Sequence, residues 1–393
     1  VRVGAYAGQL LNDRDYNFCK RVAPDLFAAG ITDVSFNLKW YDVEKSRGVY
    51  TWGKYDERLR ELHGLGFRPY VRISKTPTCW SANTDMPPAD LSSVSAFIAA
   101  FAQRFEGICF GLLHVFNEPN AATYFTPRPG ETRPQSLTYV TRAVFDGLLE
   151  ASSTMYYATA NPEGRYVTSA SSDTWAIDDF VTAMVAAGYR GEADAIGIHN
   201  YPGYPSARPP EYVFEWAHGR TPQTVLDNVQ TTLRLAGLPD QLAITEVGWL
   251  ADGTTAYPMN DVRHADWNER NMIHAAARGV DLYHVMFLRD ITVASGDSEN
   301  NRKGLFRDDY SARPVVERIA NLHKMLREPV RCLGRDDLGS PYLWSYRFLC
   351  GRKKSREVTV RWSQGGEIYR SGTTAKLALS GDVLGNQPQY VVT

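Results

Sequence analysis

Nothing in this sequence points to a membrane span, a nucleic-acid partner or a disulfide scaffold. No apolar run approaches the roughly 20 residues needed to cross a bilayer. Lysine plus arginine (43) and aspartate plus glutamate (44) almost cancel, leaving a formal net charge of −1. Such a balance makes no cationic field for a polyanion, so neither nucleic acid nor membrane is expected as a partner. There are only five cysteines (Cys19, Cys79, Cys109, Cys332 and Cys350), an odd number that leaves at least one unpaired. Cys109 lies within an apolar run and reads as a buried thiol. Cys332 and Cys350 share the terminal segment and could pair in an oxidising compartment, a question the sequence leaves open. The first apolar run ends in Gly4-Ala5-Tyr6-Ala7-Gly8-Gln9, which lacks the glycine pattern of a dinucleotide-binding turn. No Gly-x-Ser-x-Gly elbow occurs, and residues 1–7 hold no histidine pair of the kind a barrel metallohydrolase uses. His63 and His114 have no metal-ligand spacing around them. No metal and no cofactor is expected.

What the chain does have is 393 residues, 44% of them apolar and 12% aromatic. That is enough for one large domain and a small one. Short continuous apolar runs recur at Val1–Ala7, Ile31–Trp40, Phe67–Ser74, the stretch from Gly107 to Asn117, Ala193–His199, Leu242–Glu246 and Leu282–Leu288, with a weaker one at Tyr166–Ser171. Runs of this kind belong to strands covered on both faces. Amphipathic segments alternate with them: 16–29, 54–65, 89–105, 135–151, 177–187, 222–236, 261–278 and 312–327. Several end at a glycine, and Thr221-Pro222 has the form of a helix start. Eight strands, each followed by a helix, predict an α/β protein of the (β/α)8 TIM-barrel class spanning residues 1–328. After about Glu328 the texture turns to alternating, β-branched segments at Leu343–Leu349, Glu357–Trp362 and Gln389–Val392. Residues 329–393 are expected to form a small, sandwich-like antiparallel β module. Its basic run, Arg352-Lys353-Lys354-Ser355-Arg356, reads as a solvated hairpin turn.

Two strands end in the same unusual way. Leu112-Leu113-His114-Val115-Phe116 runs into Asn117-Glu118-Pro119-Asn120, and Leu242-Ala243-Ile244-Thr245 runs into Glu246-Val247-Gly248-Trp249. Pro119 cannot donate to a ladder and predicts an extended Glu118 where the strand stops. Barrels of this class place their chemistry at the C-terminal strand ends, so Glu118 on strand four and Glu246 on strand seven are expected to face one mouth. Two carboxylates about 5–5.5 Å apart are what a retaining glycosidase requires, one as acid and one as nucleophile. Trp40, Trp80, Trp175 and Trp249 follow apolar runs and suit a sugar groove, where pyranose faces stack on indoles. Lys39 and Arg72, at the ends of strands two and three, are candidates for contacting an acidic sugar or for pairing with a neighbouring carboxylate.

Phe116-Asn117-Glu118-Pro119-Asn120 and Ile244-Thr245-Glu246-Val247-Gly248-Trp249 resemble the acid/base and nucleophile strands of clan A glycoside hydrolases. Lys39-Trp40-Tyr41-Asp42-Val43-Glu44, with Gly48 to Trp52 and Asp56, is similar to the second-strand pattern of family 39. Asp194 to Pro202 resembles the sixth strand of that group, and Gly304 to Pro314 the stretch before its last helix. The resemblance covers residues 1 to about 327. It implies Glu118 as general acid/base and Glu246 as nucleophile, with Asn117 on the sugar hydroxyl beside the anomeric carbon. It further implies that His199 and Tyr201 line the cleft, one of them holding Glu246. The chain departs from the pattern on strand eight, where many members carry a tryptophan and this one reads Val285-Met286-Phe287-Leu288-Arg289-Asp290. Phe287 is the expected replacement platform, and Arg289 or Asp290 is expected to face substrate.

The expectation is a retaining hydrolase of β-glycosidic bonds in a poly- or oligosaccharide. Long loops from Ala121 to Pro134 and from Tyr201 to Thr221 favour an endo-acting cleft. An exo-acting β-xylosidase- or iduronidase-like enzyme and a non-catalytic carbohydrate-binding barrel are the alternatives. A natural start absent ahead of Val1, which leaves room for an export signal that the sequence does not show, a secreted or periplasmic location and a monomeric state complete the reading.

Overall fold

The computed structural model describes residues 1–164, 175–201, 210–211, 221–251, 260–290, 302–326, 329–339, 343–351, 356–363, 377–379, 382–384 and 387–392. Eight parallel strands close into a barrel: Arg2–Gln9, Asp33–Lys39, Arg68–Ser74, Gly111–Val115, Tyr156–Glu163, Ala195–His199, Leu242–Val247 and Leu282–Val285. Each pairs with its successor in sequence, and the eighth closes on the first through Arg2↔Leu282 and Val3↔Tyr283. Helices fill every crossover, Ser92–Phe105 and Arg133–Glu150 flanking strand four and Pro222–Leu235 and Asp261–Ala277 flanking strand seven. Among the described residues no helix is long and apolar enough to cross a membrane.

The helix ends follow the local chemistry of the sequence. Thr132 and Thr221 each close a capping box with the third helical residue, and proline stands in the first turn of both helices, where its missing N–H costs nothing. The segment read as one helix from Tyr16 to Ala29 is two, Asp13–Arg21 and Ala23–Ala28, broken at Val22 ahead of Pro24. Proline is tolerated in a first turn and disruptive inside a helix, so a new helix begins there.

The fifth strand corrects the sequence reading. It is Tyr156–Glu163, whereas the expected strand at Tyr166–Ser171 lies wholly within 165–174, outside the described residues. Pro162 and the left-handed Ala160 (φ 79°) and Asn161 (φ 47°) disguise the true strand. There the pairing with strand six shifts between Ala160 and Glu163, the bulged irregularity at which a strand tolerates proline.

The barrel floor is an apolar cluster of Tyr70, Leu113, Ala158, Ala195, Ala243 and Leu282. Above it the interior becomes polar: Ser35, Arg72, His114, Thr245 and His284 are all buried. Beyond the barrel, Val330–Arg335, Leu343–Cys350, Arg356–Ser363 and Gln389–Val392 form one four-stranded antiparallel sheet, and Leu377–Leu379 pairs with Asp382–Leu384. Among the described residues the four-stranded sheet lies on the helix Asp261–Ala277, and the two-stranded pair is a separate sheet. The helix supplies the second layer that the small module needs. Cys332 and Cys350 do not pair: the sheet register sets Cys332 opposite Phe348 and Cys350 opposite Val330, and all five cysteines are free thiols. Residues 352–355 of the basic run lie outside the described residues, and Arg356 donates to the Lys324 carbonyl (3.2 Å).

Candidate active site

The seventh strand reaches the mouth through a bulge. Its pairing advances from Ile244↔Ile198 to Glu246↔His199 on one side and from Ile244↔Tyr283 to Val247↔Val285 on the other. One extra residue is thus accommodated between Ile244 and Val247. Strict alternation would send Thr245 and Glu246 to opposite faces, and a bulge re-aims a side chain in this way. Gly248 permits the close approach of the eighth strand that follows: a Cβ there would meet the Met286 carbonyl oxygen at 2.2 Å.

The fourth strand ends differently. Phe116 (φ 73°) and Glu118 (φ 43°) both occupy the left-handed region, with Asn117 between them. The extended Glu118 expected from Pro119 is therefore not what forms. Left-handed non-glycine residues cost free energy and persist where their surroundings over-determine them. Here Phe116 N donates to the Ile73 carbonyl (2.9 Å), its ring packs on Phe125, and Ala121 N donates to the Glu118 carbonyl (3.0 Å). The turn lifts Glu118 into the mouth. Asn117 is half-buried, and its side chain has no hydrogen-bond partner among the described residues.

His199 joins the two acids. Its Nδ1 is 2.8 Å from Glu118 Oε1 and 3.5 Å from Glu246 Oε2. The two carboxylate oxygens can be no farther apart than those distances laid end to end. Glu246 is held on both oxygens, Arg72 Nη1 donating to Oε1 and the Tyr201 hydroxyl to Oε2 (3.1 Å). Arg72 is fully buried, donates also to the Thr245 carbonyl and to Ser35 Oγ (3.2 Å), and lies 4.4 Å from the Tyr6 ring centroid. Burial and the charges of Glu246 and Glu118 hold the Tyr201 hydroxyl well above the usual phenol range, so it stays a proton donor to Glu246. Burial and the nearby Arg72 push His114 and His284 well below the usual imidazole range, leaving both neutral.

His114, His199 and Glu246 bring possible metal-ligating atoms within 4.8 Å of one another. They come from three strands, which is why sequence spacing does not reveal them. Both oxygens of Glu246 are already engaged, and a cation there would face the Arg72 guanidinium. The donor set fits an ion-paired carboxylate better than a metal ligand.

No family profile matches the sequence, and no curated protein matches it either. Solved structures do. A family 39 glycoside hydrolase from the gut symbiont Bacteroides cellulosilyticus superposes with a TM-score of 0.72 at 16% identity, covering 99% of this chain and 80% of that one. A monomeric β-xylosidase from Caulobacter crescentus gives 0.59 at 16% identity over 92% and 74%. A family 30 endoxylanase from Clostridium papyrosolvens gives 0.57 at 12% identity over 93% and 82%. The fold is that of the clan A glycoside hydrolases.

Within this clan A fold the expected site residues divide. Glu118, Glu246, His199, Tyr201 and Arg72 meet, with Asn117 beside them. Arg72, expected on a sugar or a carboxylate, is on the carboxylate of Glu246. Trp40 and Trp249 do not reach a groove: both are fully buried, Trp40 stacked on Phe97 (4.8 Å) and donating to Glu44 Oε2 (2.6 Å). Trp80 is half-buried, donates to Glu44 Oε1 (2.8 Å) and carries Arg47 over its ring at 4.6 Å. Trp175 is half-buried and bracketed by Asn120, whose Nδ2 donates to its carbonyl (2.9 Å). Phe287 is buried against Tyr6 (5.6 Å), after a cis peptide bond with Met286. Arg289 turns away from the mouth to Asp15 Oδ1 through Nε (3.0 Å) and Nη2 (2.5 Å). Asp290 accepts from Arg313 (2.6 Å). Lys39 is half-buried with its ammonium 5.8 Å from the Tyr41 ring centroid. Tyr6, Ser35 and His284 escaped the sequence reading. For Ser35 the available signal was the polar alternation along Asp33–Lys39, and for His284 an isolated polar residue inside an otherwise apolar run. Most of the loop from Tyr201 to Thr221 lies outside the described residues.

Proposed function

We propose that this protein is a retaining glycoside hydrolase acting on β-linked poly- or oligosaccharides. The observation that carries the reading is the single imidazole nitrogen of His199 bridging Glu118 and Glu246. Its two contacts keep the facing oxygens of the pair within those distances laid end to end, in keeping with the ~5–5.5 Å between the carboxyl groups of a retaining enzyme. Glu246 is the nucleophile. Arg72 and Tyr201, one on each oxygen, fix its orientation, so that Oε2 or Oε1 attacks the anomeric carbon as the glycosidic bond breaks. Glu118 gives its proton to the departing oxygen, then removes one from the water that releases the sugar. Asn117 is placed in this reading on the hydroxyl adjacent to the reacting carbon.

The neighbouring folds include both a β-xylosidase and an endoxylanase. Between these modes we favour endo action, because the loops beyond strands four and six are long and proline-rich. Residues 1–328 as catalytic domain, residues 329–393 as accessory module, a monomeric state and a secreted or periplasmic location belong to the same proposal.

The deciding experiment follows the product anomer by NMR on a panel of aryl glycosides and polysaccharides, with wild-type protein and Glu246→Ala. Retention by the wild type and loss of turnover in the variant, with oligosaccharide binding kept, are the expected results. An inverted product, or full activity without Glu246, ends the reading.

A further inference from the structure

The chain as a whole is close to neutral, with a net charge of −1, yet its mouth carries an ammonium that no carboxylate among the described residues balances. On the second barrel strand Val34, Phe36 and Leu38 are fully buried apolar residues, whereas Ser35 turns inward to Arg72 Nε (3.2 Å) and His284 Nδ1 (2.9 Å). Side chains alternate along a strand, so residues 35, 37 and 39 share the inner face. Lys39 ends the strand. It pairs with Ser74 two residues above the Asn37↔Arg72 pair, and Arg72 is bound to Glu246. Lys39 thus leaves the strand on the inner face, one inward position above Asn37, the Cα partner of Arg72.

The two neighbouring lysines of that rim are neutralised, Lys45 by Asp42 (3.8 Å) and Lys75 by Asp85 (2.5 Å). Lys39 is not: its ammonium rests near the Tyr41 ring, and no carboxylate pairs with it among the described residues. An aromatic face steadies an ammonium but takes none of its three hydrogen-bond donors. A half-buried cation with unused donors, set over a cleft, is a receptor for an anion. Charged side chains gather elsewhere at the same end of the barrel. A cavity of about 430 Å³ between the loops that follow strands seven and eight is lined by Arg302, Arg307 and Arg313 against Asp261 and Asp290, counting the described residues.

We propose that the substrate is an acidic glycan and that Lys39 is its specificity-determining residue, taking a carboxylate or sulfate on a sugar next to the cleaved bond. The proposal rests on the glycosidase reading for its site, and its test separates the two. A polymer containing uronic acids and a sulfated polymer are each compared with their carboxyl-reduced or desulfated forms, using the full chain and the variants Lys39→Gln and Lys39→Arg. For wild type, neutralising the substrate is expected to lower kcat/KM about tenfold or more, the scale of one charge-assisted hydrogen bond. The polymer that shows this loss identifies which anion is read. Lys39→Gln is expected to raise KM on the acidic polymer with kcat largely kept and no change on the neutral one, and Lys39→Arg to restore part of the preference. Equal cleavage of acidic and neutral polymers, or an equal loss on both in Lys39→Gln, overturns the inference while leaving the hydrolase standing. If no polymer is cleaved, the hydrolase reading fails, and titration calorimetry of the same polymers decides the inference alone. Salt-sensitive binding that weakens in Lys39→Gln sustains it, and binding that ignores Lys39, or no binding, ends it.

Discussion

Glu246 has no freedom of orientation: Arg72 and Tyr201 take one oxygen each, and the His199 ring stands between it and Glu118. Removing one donor should therefore cost rate more than affinity. Tyr201→Phe deletes the hydroxyl with little change of shape, and kcat is expected to fall about 10- to 100-fold, the range of a hydrogen bond to a charged group. Steady-state kinetics checks this, and a change confined to KM would contradict it. For Glu118→Ala, activity on natural linkages should collapse, whereas aryl glycosides with good leaving groups should regain a large part of it. Such a leaving group needs little protonation. Failure of that rescue in a correctly folded variant would remove the acid role.

At the scale of the strand, two irregularities aim the two acids: the extra residue in strand seven and the left-handed Phe116 and Glu118 at the end of strand four. Gly248 is the point at which the first of these is exposed to a test. A methyl group there would press on the Met286 backbone, which cannot rotate aside as a side chain would. Gly248→Ala is expected to destabilise the fold by about 1–3 kcal/mol, as overpacking does. Activity should fall further than that loss of folded protein explains, because strand seven carries Glu246. Chemical denaturation beside kcat measurements separates the two effects. An unaltered kcat in folded variant would mean that the strand-end register does not govern the acid.

Over the whole molecule, the terminal sheet is tied to the barrel by buried polar contacts. Trp362 Nε1 donates to Glu211 Oε1 (3.0 Å), which also meets Arg270 Nε (2.9 Å) and His274 Nε2 (3.2 Å). The Arg270 charge and the hydrogen bonds of this cluster outweigh burial and bring Glu211 down to about 2, whereas burial brings His274 down to about 4. Tyr390, on the last strand, donates to Glu269 Oε1 (2.6 Å) of the same helix. Burial, aided by Asp266 and opposed by Tyr390 and Arg318, raises Glu269 to about 7. A carboxyl raised on folding binds more protons folded than unfolded between its ordinary range and 7, so stability falls as pH rises through that window. Glu269→Gln removes this dependence. Its melting temperature relative to wild type should climb from pH 5 to pH 8 and level off above. A constant difference would show that Glu269 does not titrate in the docked sheet. Trp362→Ala leaves a cavity over Glu211, and large-to-small changes of this size cost about 3–5 kcal/mol, to be read by denaturant unfolding.

The sequence by itself determined the class of fold, because strands covered on both faces, alternating with capped helices, have few other ways to close. It also singled out Glu118 and Glu246, since a buried strand that stops at an acid must present that acid somewhere polar. Tertiary structure decided the rest. Periodicity tells which way a side chain leaves its own element, but not what stands opposite. Trp40 and Trp249 looked like Trp80 and Trp175 in the chain and are wholly buried. The partner of Arg72 is 174 residues away, and the two acids that meet at His199 share no spacing with it. Bulges, left-handed turns and the choice of Tyr156–Glu163 as the fifth strand arise from the packing of neighbouring strands, which is a property of the closed barrel and of no single stretch within it.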